Sequence, residues 1–185
     1  VAQVIGIVGV IANAGDATID GFELEVTSNV GDDWTLSAGL TLLDSAYGDF
    51  LNTDALQGDA GVLQNKGNPL NKAPEQSLNV GIVRNMTFDS GASLALSLNT
   101  AYRSRTYFRE FGQIDDSQAA YTVVNFNANF ETADELFTTR FFVNNATNEA
   151  YITDMSTGDS QYGRHAAWGM PRHIGIELTR HFGTR

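Results

Sequence analysis

The side chains best suited to chemistry in this 185-residue chain form a basic and aromatic cluster, Arg103, Arg105, Tyr107, Phe108 and Arg109. Guanidinium forks match carboxylates in two-point geometry, so such a cluster can grip an anionic ligand, an iron chelate included. Arg164, His165 and Trp168 repeat the combination later in the chain. The candidate ligand-binding set is therefore Arg103, Arg105, Tyr107, Arg109, Arg164, His165 and Trp168. The competing reading makes both groups either lipopolysaccharide contacts or an aromatic girdle with snorkelling Arg.

Catalytic and metal chemistry find less support. Glu23 and Glu25 share one strand face, as an acid pair would. No His follows them nearby, and a wet interior explains them better. Of His165, His173 and His181, only the last two share a face, and they stand too far apart along it to hold one metal. Gly6-Ile7-Val8-Gly9 lacks the full spacing of a nucleotide-binding turn. Asn85-Met86-Thr87 and Asn145-Ala146-Thr147 match glycosylation acceptors, a three-residue pattern that assigns nothing by itself. The expectation is no catalytic residue, no metal and no cofactor.

Composition narrows the class. The chain is 42% hydrophobic and 18% charged, with a formal net charge of -11, which argues against a nucleic-acid partner. With no Cys there is neither a disulfide framework nor a thiolate site. The longest apolar run, Val1 to Ala12, falls short of the ~18 residues a membrane helix needs, and it lacks the basic start of a signal peptide. The chain opens on Val rather than Met, as expected of a processed product or a piece of something longer.

The elements that must position these residues are strands. From Ile174, every second residue is Ile174, Ile176, Leu178, Arg180 and Phe182, set against Gly175, Glu177, Thr179 and His181. Period two in side-chain direction, closed by an aromatic, is the pattern of an outer-membrane strand. The same alternation marks Thr18–Thr27, Trp34–Leu42, Ser77–Met86, Ser93–Tyr102, Val124–Phe130 and Leu136–Asn145. Val1–Ile11 reads as a further strand with little alternation. Phe22, Leu24, Leu36, Leu40, Leu96, Phe126, Ile176 and Leu178 are expected to face lipid. Glu23, Glu25, Ser37, Thr41, Asn127 and Glu177 are expected to face the lumen.

The connections alternate, short at 31–33, 87–91 and 131–135, long and without strand pattern at 45–75, 104–120 and 146–170. Only the connection at 12–17 is short where a long one falls due. Tight periplasmic turns and long extracellular loops give a membrane barrel this asymmetry, and a soluble sandwich has no reason to keep it. The fold class is all-β, an antiparallel transmembrane β-barrel. It is partial, with about seven or eight strands of a larger barrel.

In family order, Asn13–Ala17, Gly21–Glu25, Leu42–Tyr47, Asn71–Ser77, Tyr102–Phe108, Tyr121–Asn125, Phe142–Asn148 and Pro171–Gly175 resemble the C-terminal β-barrel part of a TonB-dependent outer-membrane receptor. The resemblance implies that residues 1–185 are the C-terminal portion of a barrel of about 22 strands, with the plug domain absent. It implies a place in the bacterial outer membrane and a non-enzymatic role as barrel wall and extracellular loops. That role is energy-coupled uptake of a siderophore, vitamin, sugar or peptide. The partners it implies are the remaining barrel and plug of the parent receptor, the TonB system through that plug, and outer-membrane lipid and lipopolysaccharide. A small self-closing barrel with a structural or adhesive role is the alternative.

Overall fold

Alternating side chains give each long segment one apolar and one polar face, and strand pairing carries those faces across a sheet. The computed structural model of the chain describes residues 15–54, 56, 62–157 and 163–182, and the strand expected over Val1–Ile11 lies outside them. Seven strands pair antiparallel: β1 (Ala17–Val30), β2 (Trp34–Tyr47), β5 (Gln76–Thr87), β6 (Ser93–Arg103), β9 (Tyr121–Glu131), β10 (Phe137–Asn144) and β13 (His173–Arg180), in that spatial order. Each long strand thus lies beside the next one in the chain. Short turns join β1 to β2, β5 to β6 and β9 to β10.

The long connections all leave the opposite end of the sheet. They differ from the sequence reading, because each carries a two-stranded ribbon: β3 (Leu51–Thr53) with β4 (Val62–Gln64), β7 (Thr106–Tyr107) with β8 (Ser117–Gln118), and β11 (Ile152–Thr157) with β12 (Arg164–Trp168). Strand β2 also runs five residues past Leu42. At ~3.3 Å per residue a strand of this length outreaches the ~25 Å apolar band of an outer membrane. Beyond that band Asp44 and Ala46 need no apolar face.

Register shows how completely the two faces separate. One row across the sheet reads Leu36, Ile82, Leu98, Phe126, Val143 and Ile174. The row one residue along each strand, on the other face, reads Thr27, Ser37, Gly81, Asn99 and Asn125. Phe22, Leu24, Leu36, Leu40, Leu96, Phe126, Ile176 and Leu178 all fall on the apolar face. Glu23, Glu25, Ser37, Thr41, Asn127 and Glu177 all fall on the polar one. Gly81 leaves the room that Ser37 occupies, since a β-carbon there would collide with the Ser37 hydroxyl.

No second layer covers the apolar face among the described residues. Among the described residues the only buried hydrophobic side chains are Ala92 and Phe108, while Ile176 is 74% exposed. An uncovered apolar sheet of this extent requires a non-aqueous surrounding. At its short-turn end, Arg84 lies 5.1 Å over the Trp34 ring, and Arg180 lies 5.7 Å from Phe137 and 4.8 Å from Phe182. Aromatic rings with snorkelling cations are what a membrane–water boundary selects. Within the described residues β1 and β13 have no partner on their outer sides, so the sheet is open. It is a stretch of barrel wall.

Candidate functional site

Antiparallel pairing brings the three ribbon-bearing loops together, and they meet at the Arg109–Asp116 pair. Pairing of Thr106 with Gln118 and of Tyr107 with Ser117 folds the second loop back on itself. A 3-10 turn over Ile114–Asp116 follows, and the Phe108 amide donates to the Asp116 carbonyl at 2.9 Å. The Asp116 carboxylate thereby faces the Arg109 guanidinium.

Arg109 Nη1 donates to Asp116 Oδ2 at 2.8 Å, and Nη2 donates to Asp54 of the first loop. Arg164 Nε, from the third loop, donates to the other Asp116 oxygen at 2.5 Å. Gln113 Nε2 reaches Asp54 Oδ2 at 3.4 Å. Both aspartates are 0% exposed and Arg109 is 8% exposed. Burial by itself pushes the guanidinium pKa down, but hydrogen bonds and charge from Asp54 and Asp116 outweigh it and the pKa rises. Arg109 stays a cation, and removing it would take the guanidinium from two buried carboxylates, leaving Asp116 with Arg164 and Asp54 with Gln113.

Weaker links surround this knot. Asn52 donates to Glu110 Oε1 at 2.5 Å, and the Lys72 amide donates to the Tyr107 carbonyl at 2.8 Å. The third loop joins through Lys72 Nζ on Asp154 Oδ1 at 2.9 Å and through the Ile152 amide on Gln118 Oε1 at 2.7 Å. The Lys72 hydrogen bond, followed by that of the Met155 amide, holds the Asp154 carboxyl below its ordinary range. Tyr121 and Tyr151 stack at 4.5 Å and 12°. Asn145 pins the base of the third loop. It has a positive φ of 50°, donates to the Glu149 and Met170 carbonyls at 2.8 and 3.0 Å, and receives the Glu149 amide at 2.8 Å.

The candidate residues from the sequence fall into three groups. Arg109 and Arg164 converge on Asp116, and Arg105 is tied to the Ser117 hydroxyl at 2.8 Å, beside half-buried Tyr107. His165 and Trp168 stay exposed on β12, Trp168 at 63%. Arg103 ends β6 on the polar face, opposite Ser77 and Tyr121, at the rim of a cleft of about 160 Å³. Sequence reasoning missed Asp54, Asp116 and Asn145. Acidity at 115–116 seven residues past Arg109 was the available signal for Asp116. Asp54 and Asn145 had none, and Asn145 matched a glycosylation acceptor instead. Among the described residues no group of His, Asp or Glu is placed to hold a metal.

A family model described as TonB dependent receptor-like, beta-barrel, matches residues 2–146. No curated protein matches the sequence. Three solved structures give the likeness in fold. The ferric yersiniabactin uptake receptor FyuA from Yersinia pestis has a TM-score of 0.72 at 19% identity, over 90% of this chain and 24% of that one. The siderophore receptor PiuA from Acinetobacter baumannii has a TM-score of 0.70 at 18% identity, over 89% of this chain and 22% of that one. The ferripyoverdine receptor of the outer membrane of Pseudomonas aeruginosa, bound to ferripyoverdine, has a TM-score of 0.59 at 17% identity, over 88% of this chain and 19% of that one. The chain spans less than a quarter of the length of each.

Proposed function

Because this chain belongs to the TonB-dependent receptors, as part of their bacterial outer-membrane β-barrel, we propose that it works in energy-coupled uptake of a scarce nutrient, with its ribbon-bearing loops outside the cell in contact with the ligand. Siderophores lead the candidate substrates, ahead of a vitamin, sugar or peptide, since three structures of like fold are siderophore or ferric-chelate receptors. The family is one of transport receptors, not enzymes. This chain supplies the C-terminal portion of the barrel wall. The rest of the barrel, the plug and the TonB system are its proposed partners, and lipid and lipopolysaccharide meet its apolar face.

The observation that carries this reading is the convergence of all three long loops on one ionic knot at one end of the sheet. Loops held in one arrangement present a pre-formed surface, and pre-formed surfaces bind small ligands well. The contact set is Arg103, Arg105, Tyr107, Arg109, Arg164, His165 and Trp168, with Arg109 acting by holding the others in place. Deleting the gene tests the role: accumulation of radiolabelled ferric chelates should fall, and should fall equally when TonB is removed. Accumulation independent of both would refute it.

A further inference from the structure

We propose that the cleft between the ends of β6 and β9 and the β11–β12 ribbon is a subsite for a carboxylate arm, and that Arg103 receives the anion. The proposal rests on the uptake role above and names the chemistry of one part of its ligand. Among the described Lys and Arg side chains, Arg103 alone has neither an ion pair, nor a hydrogen bond, nor a ring beneath its guanidinium. Its charge is felt by the Tyr121 hydroxyl across the strands, which is neutral and leaves it uncompensated. Lys66 is spent on Asp49, Lys72 on Asp154, Arg109 and Arg164 on buried aspartates, and Arg105 on Ser117. Arg140 binds Asn127, Arg172 the Ala146 carbonyl, and Arg84 and Arg180 lie over rings. In a chain of net charge -11, one uncommitted guanidinium at the loop end of the polar face is the natural seat for an anion.

The walls define what accompanies the charge. Pro74, Phe108 and Ile152 give the cleft an apolar side, and Arg103 and Tyr121 a polar one. Phe108 is one of the two buried hydrophobic side chains among the described residues, so that wall is built rather than incidental. Lys72 lines the cleft too, with its charge met by Asp154. A volume of about 160 Å³ is too small for a whole ligand, which needs about 300 Å³ or more, and suits a single arm. The ligand class is therefore a molecule carrying a carboxylate on a compact apolar group, with its bulk standing in the open mouth.

The test uses 4-fluorobenzoate as probe, followed by fluorine NMR on outer-membrane vesicles carrying the protein. Binding in the millimolar range is expected, as for a fragment of this size. The neutral analogue 4-fluorobenzamide should bind at least about tenfold more weakly, and Arg103→Gln should cost the benzoate about the same factor. Arg103→Lys, which keeps the charge but loses the fork, should fall between. Lys66→Gln, outside the cleft, should leave the affinity unchanged. Heat-modifiable migration confirms that each variant is folded. Equal binding of benzoate and benzamide, or full affinity in Arg103→Gln, overturns the subsite. So does no benzoate binding at all. If TonB-dependent uptake persists in that case, the subsite falls and the transport role stands. Probe binding without any TonB-dependent uptake leaves the subsite standing and removes the transport role.

Discussion

The Phe142 ring lies across Gly175 of the neighbouring strand, so close that a β-carbon at Gly175 would collide with the ring. An aromatic side chain covering a cross-strand glycine shields backbone that the glycine leaves bare. The same ring carries Arg140 at 5.3 Å over its face and meets His173 at 5.3 Å edge-on. Gly175→Ala must therefore push Phe142 off this position. The expected loss is about 1–3 kcal/mol, the usual cost of overpacking. Denaturant midpoints of the membrane-embedded protein measure it, and Phe142→Leu added to Gly175→Ala should recover part of the loss. A midpoint unchanged by Gly175→Ala would show that the ring is not held there.

Arg109 tests the knot. Arg109→Met keeps the length of the side chain but takes the guanidinium from both buried aspartates and leaves Asp116 with Arg164. Breaking a buried pair from one side costs about 3–5 kcal/mol. The cost should fall on the loops, because the pairing of the seven-stranded sheet involves none of the knot's residues. Protease added to intact cells should cut within 104–120 faster in the variant, with the barrel's heat-modifiable migration unchanged. Equal cleavage rates would count against the knot.

The sheet was legible because its rule is local: alternation at Leu36, Ser37 and Ala38 already states which side chain meets which medium. The end of β2 was not legible, since beyond Leu42 the strand leaves the apolar band and Asp44 on the outer face breaks the alternation. The ribbons were invisible for a related reason. Leu51-Asn52-Thr53 and Thr106-Tyr107 are too short to show any period. The knot was half visible. Arg109 stood out as a cation in an acidic chain, but Asp54 lies 55 residues from it, and Arg164 lies 48 residues from the Asp116 they share. Only the meander brings these loops together. The loop-end aspartates look like ordinary solvated charges until that pairing is known.

Asp134, in the short turn before β10, gives a pH-dependent signature. Its carboxylate accepts the Thr132 hydroxyl at 2.6 Å and the Leu136 amide at 3.1 Å. These bonds, the hydroxyl first, hold its pKa below the ordinary aspartate value. A carboxyl depressed in the folded state contributes stability above its unfolded pKa, and that contribution is lost as pH falls through the lower folded value. Thr132→Val should move the Asp134 titration upward toward the ordinary range, read by carbon NMR of the carboxyl. A titration that does not move would remove the hydroxyl as cause.

Sidedness can be read directly, because the chain has no cysteine. Single cysteines at Asp33, in a short turn, and at exposed Asp115, in a ribbon-bearing loop, sample the two ends of the sheet. A membrane-impermeant maleimide on intact cells should label Asp115→Cys, and should reach Asp33→Cys only after the outer membrane is opened. Labelling in the opposite order would invert the orientation and move the knot and the Arg103 cleft to the periplasmic side.

The open edges lead to the last expectation. Strand β1 is exposed along all 14 residues, and within the described residues neither it nor β13 has a neighbour on its outer side. Antiparallel strands turn alternate residues' N–H and C=O groups to either side, so about seven residues of β1 present unpaired groups at that edge. In hydrocarbon each unsatisfied group costs several kcal/mol, far beyond what the apolar face returns. Residues 1–185 refolded alone in detergent should therefore self-associate or stay unfolded, because closing the wall calls for strands from elsewhere. Gel migration with and without heating, together with sedimentation, decides it. A monomer with cooperative, heat-modifiable behaviour, cross-linkable between 1–11 and 173–182, would show instead that the chain closes on itself as a small barrel.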